Sequence, residues 1–405
     1  MAVNLPPLPE LHPVPGVRLG TTRAQIRKKD RRDLVVIECS PGTQAAAVFT
    51  RNRFCAAPVT VAREHLGQTA PRALLINTGF ANAGTGPEGL GDARRSCAVL
   101  AAIMDCEPQA VLPFSTGVIG ERLPVERLIA GLPDCHGNLS ENGWAEAAHG
   151  IMTTDTLPKG SSRRVAIGGK TITVTGIAKG AGMICPNMAT LLAFVATDAA
   201  VTPAALLQCL GAAADESFNR ISVDGDTSTN DSCVLLATGK SGLEIHSAEG
   251  ADYRAFYGAV REVLAELAQA IVRDAEGATK FITIDVVQGA SQADCLEVAY
   301  TIAHSPLVKT AFFASDPNWG RILAAVGRAR IPRLAVDRVS IYLDDMCIAR
   351  HGARAPEYSE AQGQEIMAKS EICVRVDLGD GTAKVRLWTC DLSHDYVTIN
   401  AEYRT

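Results

Sequence analysis

The chain is poor in aromatic residues, has no closely spaced cysteines and has no long apolar run, and each shortage removes a class of function. Aromatic side chains make up 5% of the 405 residues, too few for a surface on which nucleic-acid bases stack. The formal net charge is -5, a balance that offers no attraction to nucleic acid or to an anionic membrane surface. No apolar segment is long enough to span a bilayer. The N-terminus, MAVNLPPLPELHPVPG, is proline-rich and lacks the apolar stretch of a signal peptide. There are 12 cysteines, yet no two form a CxxC pair, and they are scattered singly from Cys39 to Cys390 in runs such as LLQCL and DSCVLL. Zinc sites and disulfide scaffolds cluster their cysteines. These read as free thiols of a reducing compartment, and the protein is expected to be cytoplasmic.

Core-forming residues are plentiful: 47% are hydrophobic and 20% charged, as in ordinary globular proteins. The length suits one large domain with a smaller companion, or two to three domains. Short apolar runs alternate with helical patterns. Strands are expected at 73–77 (ALLIN), 111–114, 171–175 (TITVT), 191–197 and 281–287. Helices are expected at 92–104, at 124–132 with proline near the start, and from the Thr202–Pro203 cap to about Glu216. The clearest helix runs from Tyr253 to Val272, where Phe256, Val260, Val263, Leu264, Leu267 and Ile271 recur with a 3.6-residue period. Further helices are expected at 293–303 and 318–326. Strands follow at 339–343, 372–378 and 383–388, the last two joined by GDG, a hairpin signal. The mixture points to an α/β or α+β protein with a boundary near 288–292.

The segment Lys179 to Thr190 reads KGAGMICPNMAT. Gly180 and Gly182 allow unusual backbone angles or the close approach of another group. A loop stiffened by Pro186 and held against the apolar strand that follows can strain the Ala189–Thr190 peptide. The Thr190 hydroxyl could attack the Ala189 carbonyl, and hydrolysis of the ester would free Thr190 as a new N-terminal residue. Threonine paired with its own α-amine is a recognised nucleophile–base arrangement. An ordinary glycine turn before a strand is the alternative, and the residues alone leave both open. SVDGDTSTNDS is dense in Asp, Ser and Thr, but Asp224, Asp226 and Asp231 lack the bidentate Glu of a calcium loop, so no metal is expected. His149 and His394 stand alone and are expected to be structural.

KGAGMICPNMAT, followed by LLAF and TDA, resembles the processing site of the ornithine acetyltransferase (glutamate N-acetyltransferase) family of arginine biosynthesis. NTGFANAGTG, STGVIGERLP, IMTTDTLPK, SFNRISVDGDTSTNDS, DAEGATK, LVKTAFFASDPNWGRILAAVG and DLSHDYVTINAEY also resemble family segments, in the right order and over nearly the whole chain. The family often has Asn where Phe80 stands and Cys where Gly84 stands, which puts local packing and substrate fit in question. The resemblance implies a mixed α/β (α+β) fold with αββα layered sheets, shared with aminopeptidases. It implies a main domain over 1–289 and a smaller C-terminal domain over 290–405 that contributes a substrate-binding tail.

The resemblance further implies cleavage between Ala189 and Thr190 into α (1–189) and β (190–405) pieces that assemble as an α2β2 heterotetramer. Thr190 would be the nucleophile, with its α-amine as base, and Thr116 and Gly117 of STG the oxyanion hole. Thr153, Lys179, Thr190, Glu276, Asn400 and Thr405 would contact substrate. The substrates implied are acetylornithine and glutamate, with no cofactor, and family members differ in whether acetyl-CoA also serves as donor. Rival readings are an N-terminal-nucleophile aminopeptidase or amidase of similar fold, and a non-catalytic metabolite-binding protein. Intact-mass measurement of the purified protein should return two pieces, residues 1–189 and 190–405. A single uncut chain in active enzyme excludes the assignment of the cleaved bond.

Overall fold

The computed structural model describes residues 2–27, 30–185 and 191–402. Its first half contains strands β1 (Val17–Thr22), β2 (Leu34–Cys39), β3 (Gln44–Phe49), β4 (Ala73–Phe80), β5 (Val111–Val118), β6 (Lys159–Ile167) and β7 (Lys170–Lys179). The second half adds β8 (Leu192–Thr197), β9 (Ala200–Val201), β10 (Ile221–Ser222), β11 (Ser232–Ala237), β12 (Glu244–Ile245) and β13 (Phe281–Gly289). The C-terminal part holds β14 (Ser340–Leu343), β15 (Met346–Arg350), β16 (Ala353–Arg354), β17 (Glu371–Asp377) and β18 (Ala383–Cys390). The helices are α1 (Ala57–Leu66), α2 (Gly86–Met104), α3 (Val125–Gly137), α4 (Trp144–Gly150), α5 (Pro203–Asp215) and α6 (Gly250–Arg273). They continue with α7 (Gln292–Ala303), α8 (Pro306–Phe313), α9 (Trp319–Gly327), α10 (Glu360–Met367) and α11 (His394–Ala401).

Two sheets, ordered β1-β2-β4-β5 and β3-β11-β8-β7-β6, pack face to face. The apolar runs explain why. In β8, Leu192, Phe194 and Ala196 face the inter-sheet core, while Ala193 and Val195 face α5 and α6 on the other side. In β2, Val35 and Ile37 point inward and Leu34 and Val36 point toward α2 and α3. A strand buried on both faces needs apolar residues at every position, which makes a run rather than an alternation. The helices cover the outer faces, giving the αββα layering that the family resemblance implied. Between the sheets, Phe114 of β5 meets Phe194 of β8 edge-on, ring centroids 5.1 Å apart.

A third sheet, β10-β18-β13-β17-β14-β15-β16, is packed by α7, α8 and α9 around Ile284, Val374, Val298 and Phe312. β13, which lies on the N-terminal side of the 289/290 division, is an inner strand of this sheet. The GDG hairpin expected between β17 and β18 does not form. β13 lies between them, parallel to β17 and antiparallel to β18. The linking turn closes over the end of β13 instead, where Asp380 and Gly381 both donate to the Gln288 carbonyl at 2.9 Å. Thr202 occupies the cap position of α5, but its hydroxyl donates to the His246 carbonyl rather than capping the helix. α3 runs on through Pro133 to Gly137, past the expected end. No helix among the described residues is long and apolar enough to cross a membrane. Replacing Phe194 by Ala should cost about 3–5 kcal/mol, because it opens a void where the two sheets meet. Chemical denaturation of the variant against wild type measures this.

Candidate active site

The parallel pair β4 and β5 carries the STG segment to its C-terminal ends. Gly79 and Gly117 are in register, and a Cβ on Gly117 (φ +134°) would stand 2.2 Å from the Gly79 carbonyl carbon. Only glycine allows this approach. The Ser115 hydroxyl donates to Asn77 Oδ1 at 2.6 Å, and Asn230 Nδ2 donates to the Ser115 carbonyl at 2.9 Å and to Ala81 at 2.6 Å. Thr116 and Gly117 are thereby held at the mouth of the inter-sheet space. Lys179, at the end of β7, donates from Nζ to Thr116 Oγ1 at 3.1 Å, which leaves the Thr116 hydrogen to be donated elsewhere.

Thr116, Gly117, Thr153, Lys179, Glu276 and Asn400 all line one cavity of about 260 Å³. Glu276 lies three residues beyond the end of α6, where its backbone N–H donates to Ala181 at 2.9 Å. It is 9% exposed, and Asn400 of α11 donates to its carboxylate at 2.8 Å. Gly182 is the glycine of the KGAG run that a close approach requires, since a Cβ there would meet Glu276 Oε2 at 2.3 Å. Ala189, Thr190 and Thr405 lie outside the described residues. Leu191, to which Thr190 is bonded, lines the cavity. His149 and His394 do not, and His394 packs edge-on against Phe313 at 5.5 Å.

Gly84 has φ +69°, and a Cβ there would stand 2.9 Å from the exposed Phe54 ring, so the family's frequent Cys would force that ring aside. Phe80 carries the Arg27 guanidinium over its face at 5.3 Å.

Sequence reasoning missed the groups that hold these residues in place. Lys159 and Asp155 are fully buried, and Lys159 Nζ lies 2.7 Å from both Asp155 and Asp274. Asp155 in turn accepts from the Gly180 N–H at 2.7 Å and the Thr153 N–H at 2.9 Å. Asp274 accepts from the Thr156 hydroxyl and from the Thr156 N–H at 2.9 Å. Asp224 grips the next part of the loop, accepting from Met183 N–H at 2.6 Å and Ile184 N–H at 2.9 Å. SVDGDTSTNDS is therefore a support for the loop, and Ser228, Thr229, Asn230 and Asp231 reach the cavity wall. Burial lowers the Lys179 ammonium from the usual lysine value, with Lys159 adding to this while Asp155, Asp231 and Glu276 oppose it.

The layered fold and the hydroxyl–amide pair at its strand ends define the class, an αββα-sandwich enzyme. The model of the ArgJ family matches residues 18–405, and the chain belongs to that family. It is 56% identical over 406 residues to the arginine biosynthesis bifunctional protein ArgJ of Pseudomonas syringae pv. tomato, covering 100% of both chains. The same figures hold for the protein of that name from Pseudomonas fluorescens. Among solved structures, that of arginine biosynthesis bifunctional protein ArgJ from Bacillus halodurans is 37% identical with a TM-score of 0.49. That match covers 51% of this chain and 97% of the other. The ornithine acetyltransferase of Mycobacterium tuberculosis, solved with ornithine, is 35% identical over 44% of this chain and 94% of its own, with a TM-score of 0.38.

Burial alone would raise the Asp155 pKa. Lys159, Lys179 and the Thr153 amide outweigh it and hold the carboxyl below the usual carboxylate range. A group depressed in this way stabilises the fold above its unfolded pKa, and the contribution is lost as the pH falls toward the folded value. The contribution is therefore complete at neutral pH and fades below about pH 4. Asp155→Asn should cost about 3–5 kcal/mol by leaving Lys159 short of charge. Denaturation curves collected against pH should show this acid-side loss in wild type and not in the variant.

Proposed function

We propose that the enzyme moves an acetyl group from N2-acetylornithine to glutamate through an ester on Thr190, as a step of arginine biosynthesis. The observation that carries this reading is the convergence of residues as distant in sequence as Thr116 and Asn400 on one cavity large enough for an acetylated amino acid. Full-length identity of 56% to proteins named for arginine biosynthesis supports it. In the reaction, the Thr190 α-amine takes the hydroxyl proton as Oγ attacks the acetyl carbonyl. Thr116 and the Gly117 N–H donate to the oxyanion, a contribution of about 10²–10³ in turnover for one such donor. Lys179 suits the α-carboxylate. Glu276, held by Asn400, suits the side-chain ammonium of ornithine. The acetyl C–N bond breaks, the ornithine nitrogen takes the proton from the Thr190 α-amine, and ornithine leaves. The glutamate amine then attacks the ester carbonyl, the Thr190 Oγ bond breaks and Oγ regains a proton, giving N-acetylglutamate.

Acetyl-CoA as a second donor, no resident cofactor, assembly of two α and two β pieces, and a cytoplasmic setting belong to the same reading. A main domain and a C-terminal companion whose sheet takes in β13 would meet at the cavity, the companion contributing Asn400 and Thr405.

Acetylornithine given alone should release one ornithine per active site and leave one acetyl group on the piece beginning at Thr190. Adding glutamate should discharge it, with ping-pong kinetics. Thr190→Ala should remain uncut and inactive. Continued ornithine release at the same speed without glutamate would instead mean a hydrolase and favour the amidase reading.

A further inference from the structure

Asp231 stands in the cavity wall with no part in the transfer just described. It is 2% exposed, and its Oδ2 has no hydrogen-bond partner among the described residues. A buried carboxylate oxygen without a partner is costly, and such a group calls for an explanation in what it binds or exchanges. The position is specific. Asp231 immediately precedes β11, the Ser232 N–H donates to the Leu191 carbonyl at 2.8 Å, and Ser232 is in register with Leu192 of β8. Leu191 is the residue bonded to Thr190.

The proposed chemistry has a gap at this point. After cleavage the Thr190 α-amine is a base, but before cleavage the same nitrogen is an amide and takes no proton. Self-cleavage needs another acceptor for the hydroxyl proton. The other ionisable groups lining the cavity are Lys179 at the end of β7 and Glu276 in the link after α6. Lys179 is directed at Thr116, and Glu276 accepts from Asn400. Asp231 alone of the two carboxylates lining the cavity has a fully buried oxygen without a partner among the described residues. Burial pushes its carboxyl well above the usual carboxylate range, against the pull of Ser228 and Lys179, which gives its ionised form a high affinity for a proton.

We propose that Asp231 is the proton carrier of self-cleavage, a role that rests on the assignment of Thr190 as nucleophile. Asp231 Oδ2 takes the hydroxyl proton as Thr190 Oγ bonds to the Ala189 carbonyl carbon. The bond from that carbon to the Thr190 nitrogen breaks, and Asp231 returns the proton to the departing nitrogen. Residue 189 is then an ester on Oγ. Water hydrolyses it, leaving a carboxylate on Ala189 and a free hydroxyl and α-amine on Thr190. Asp231 ends as it began.

The test uses the full chain carrying Asp231→Asn or Asp231→Ala. Both should purify as uncut precursor with cooperative melting, and the Asn variant should cut at least about 100-fold more slowly than wild type. Sodium formate, a carboxylate small enough for the space left in Asp231→Ala, should speed the cut, while sodium chloride at equal ionic strength should not. Newly translated wild-type chain should cut more slowly as the pH falls, since acid protonates the acceptor. Wild-type cutting by Asp231→Asn, indifference of folded Asp231→Ala to formate, or a flat pH profile overturns the proposal. Cutting in Thr190→Ala means that the nucleophile assignment has failed. An uncut Thr190→Ala beside a normally cut Asp231→Asn rejects Asp231 alone.

Discussion

The ammonium of Lys159 is buried to the point that no part of its side chain meets solvent, and two carboxylates, Asp155 and Asp274, hold it there. Charges so placed are stable only as a complete set, because removing one leaves the others unpaired in a dry interior. The set ties the end of α6, the start of β6 and the end of β7 at one point. Asp274 ends α6 and binds the Thr156 backbone, Lys159 begins β6, and Asp155 binds the Gly180 amide where β7 gives way to the loop. The same carboxylate fixes Thr153. The end of the longest helix, one edge of the cavity and the start of the KGAG loop thus share one electrostatic anchor, and the position of Lys179 beside Thr116 follows from it.

The cavity sits where two requirements meet. The central strands β2, β4, β8 and β11 are apolar over most of their length, and the polar groups of the cavity stand at strand ends or in the connections beyond them. Thr116 and Gly117 end β5, Lys179 ends β7, and Asp231 precedes β11. The third sheet then closes the open side. Asp391, after β18, accepts from the Thr279 and Lys280 amides at 2.8 and 2.9 Å. The Ser393 hydroxyl donates to the Gly277 carbonyl at 2.5 Å. These contacts set α11 against the Glu276 turn, so that Asn400 reaches a carboxylate 124 residues away.

Local pattern carried the strands and helices well where one rule decides. ALLIN and the apolar run from Leu191 are strands because both faces are buried, and Tyr253–Val272 is a helix because its period is unambiguous. Pairing was not legible in the same way. GDG between two strands is compatible with a hairpin, but β13 offers each of them a better partner, and no short window contains that competition. α8 hid inside the segment LVKTAFFAS, too short for its period to register. In the site, Thr116, Lys179, Glu276 and Asn400 came from family likeness, since nothing in their spacing relates them. Asp155 and Lys159 were not singled out, and Asp231 was weighed only as a metal ligand, because their meaning lies in burial, which an acid or a lysine in a sequence does not announce.

The order of strands in the five-stranded sheet bears on inheritance as much as on shape. Reading across, β3 precedes residue 189, β11 and β8 follow it, and β7 and β6 precede it again. Two fragments made by a cut at that point would be interleaved, each supplying strands on which the other's hydrogen bonds depend. They would be partners from birth, never having met by diffusion, and separating them would mean unravelling the sheet. A cell carrying two defective alleles, one damaged in the Thr116 segment and one at Glu276, could not therefore assemble a sound site by trading fragments between molecules. Each catalytic centre would be the product of a single translation event, although its walls would belong to two polypeptides.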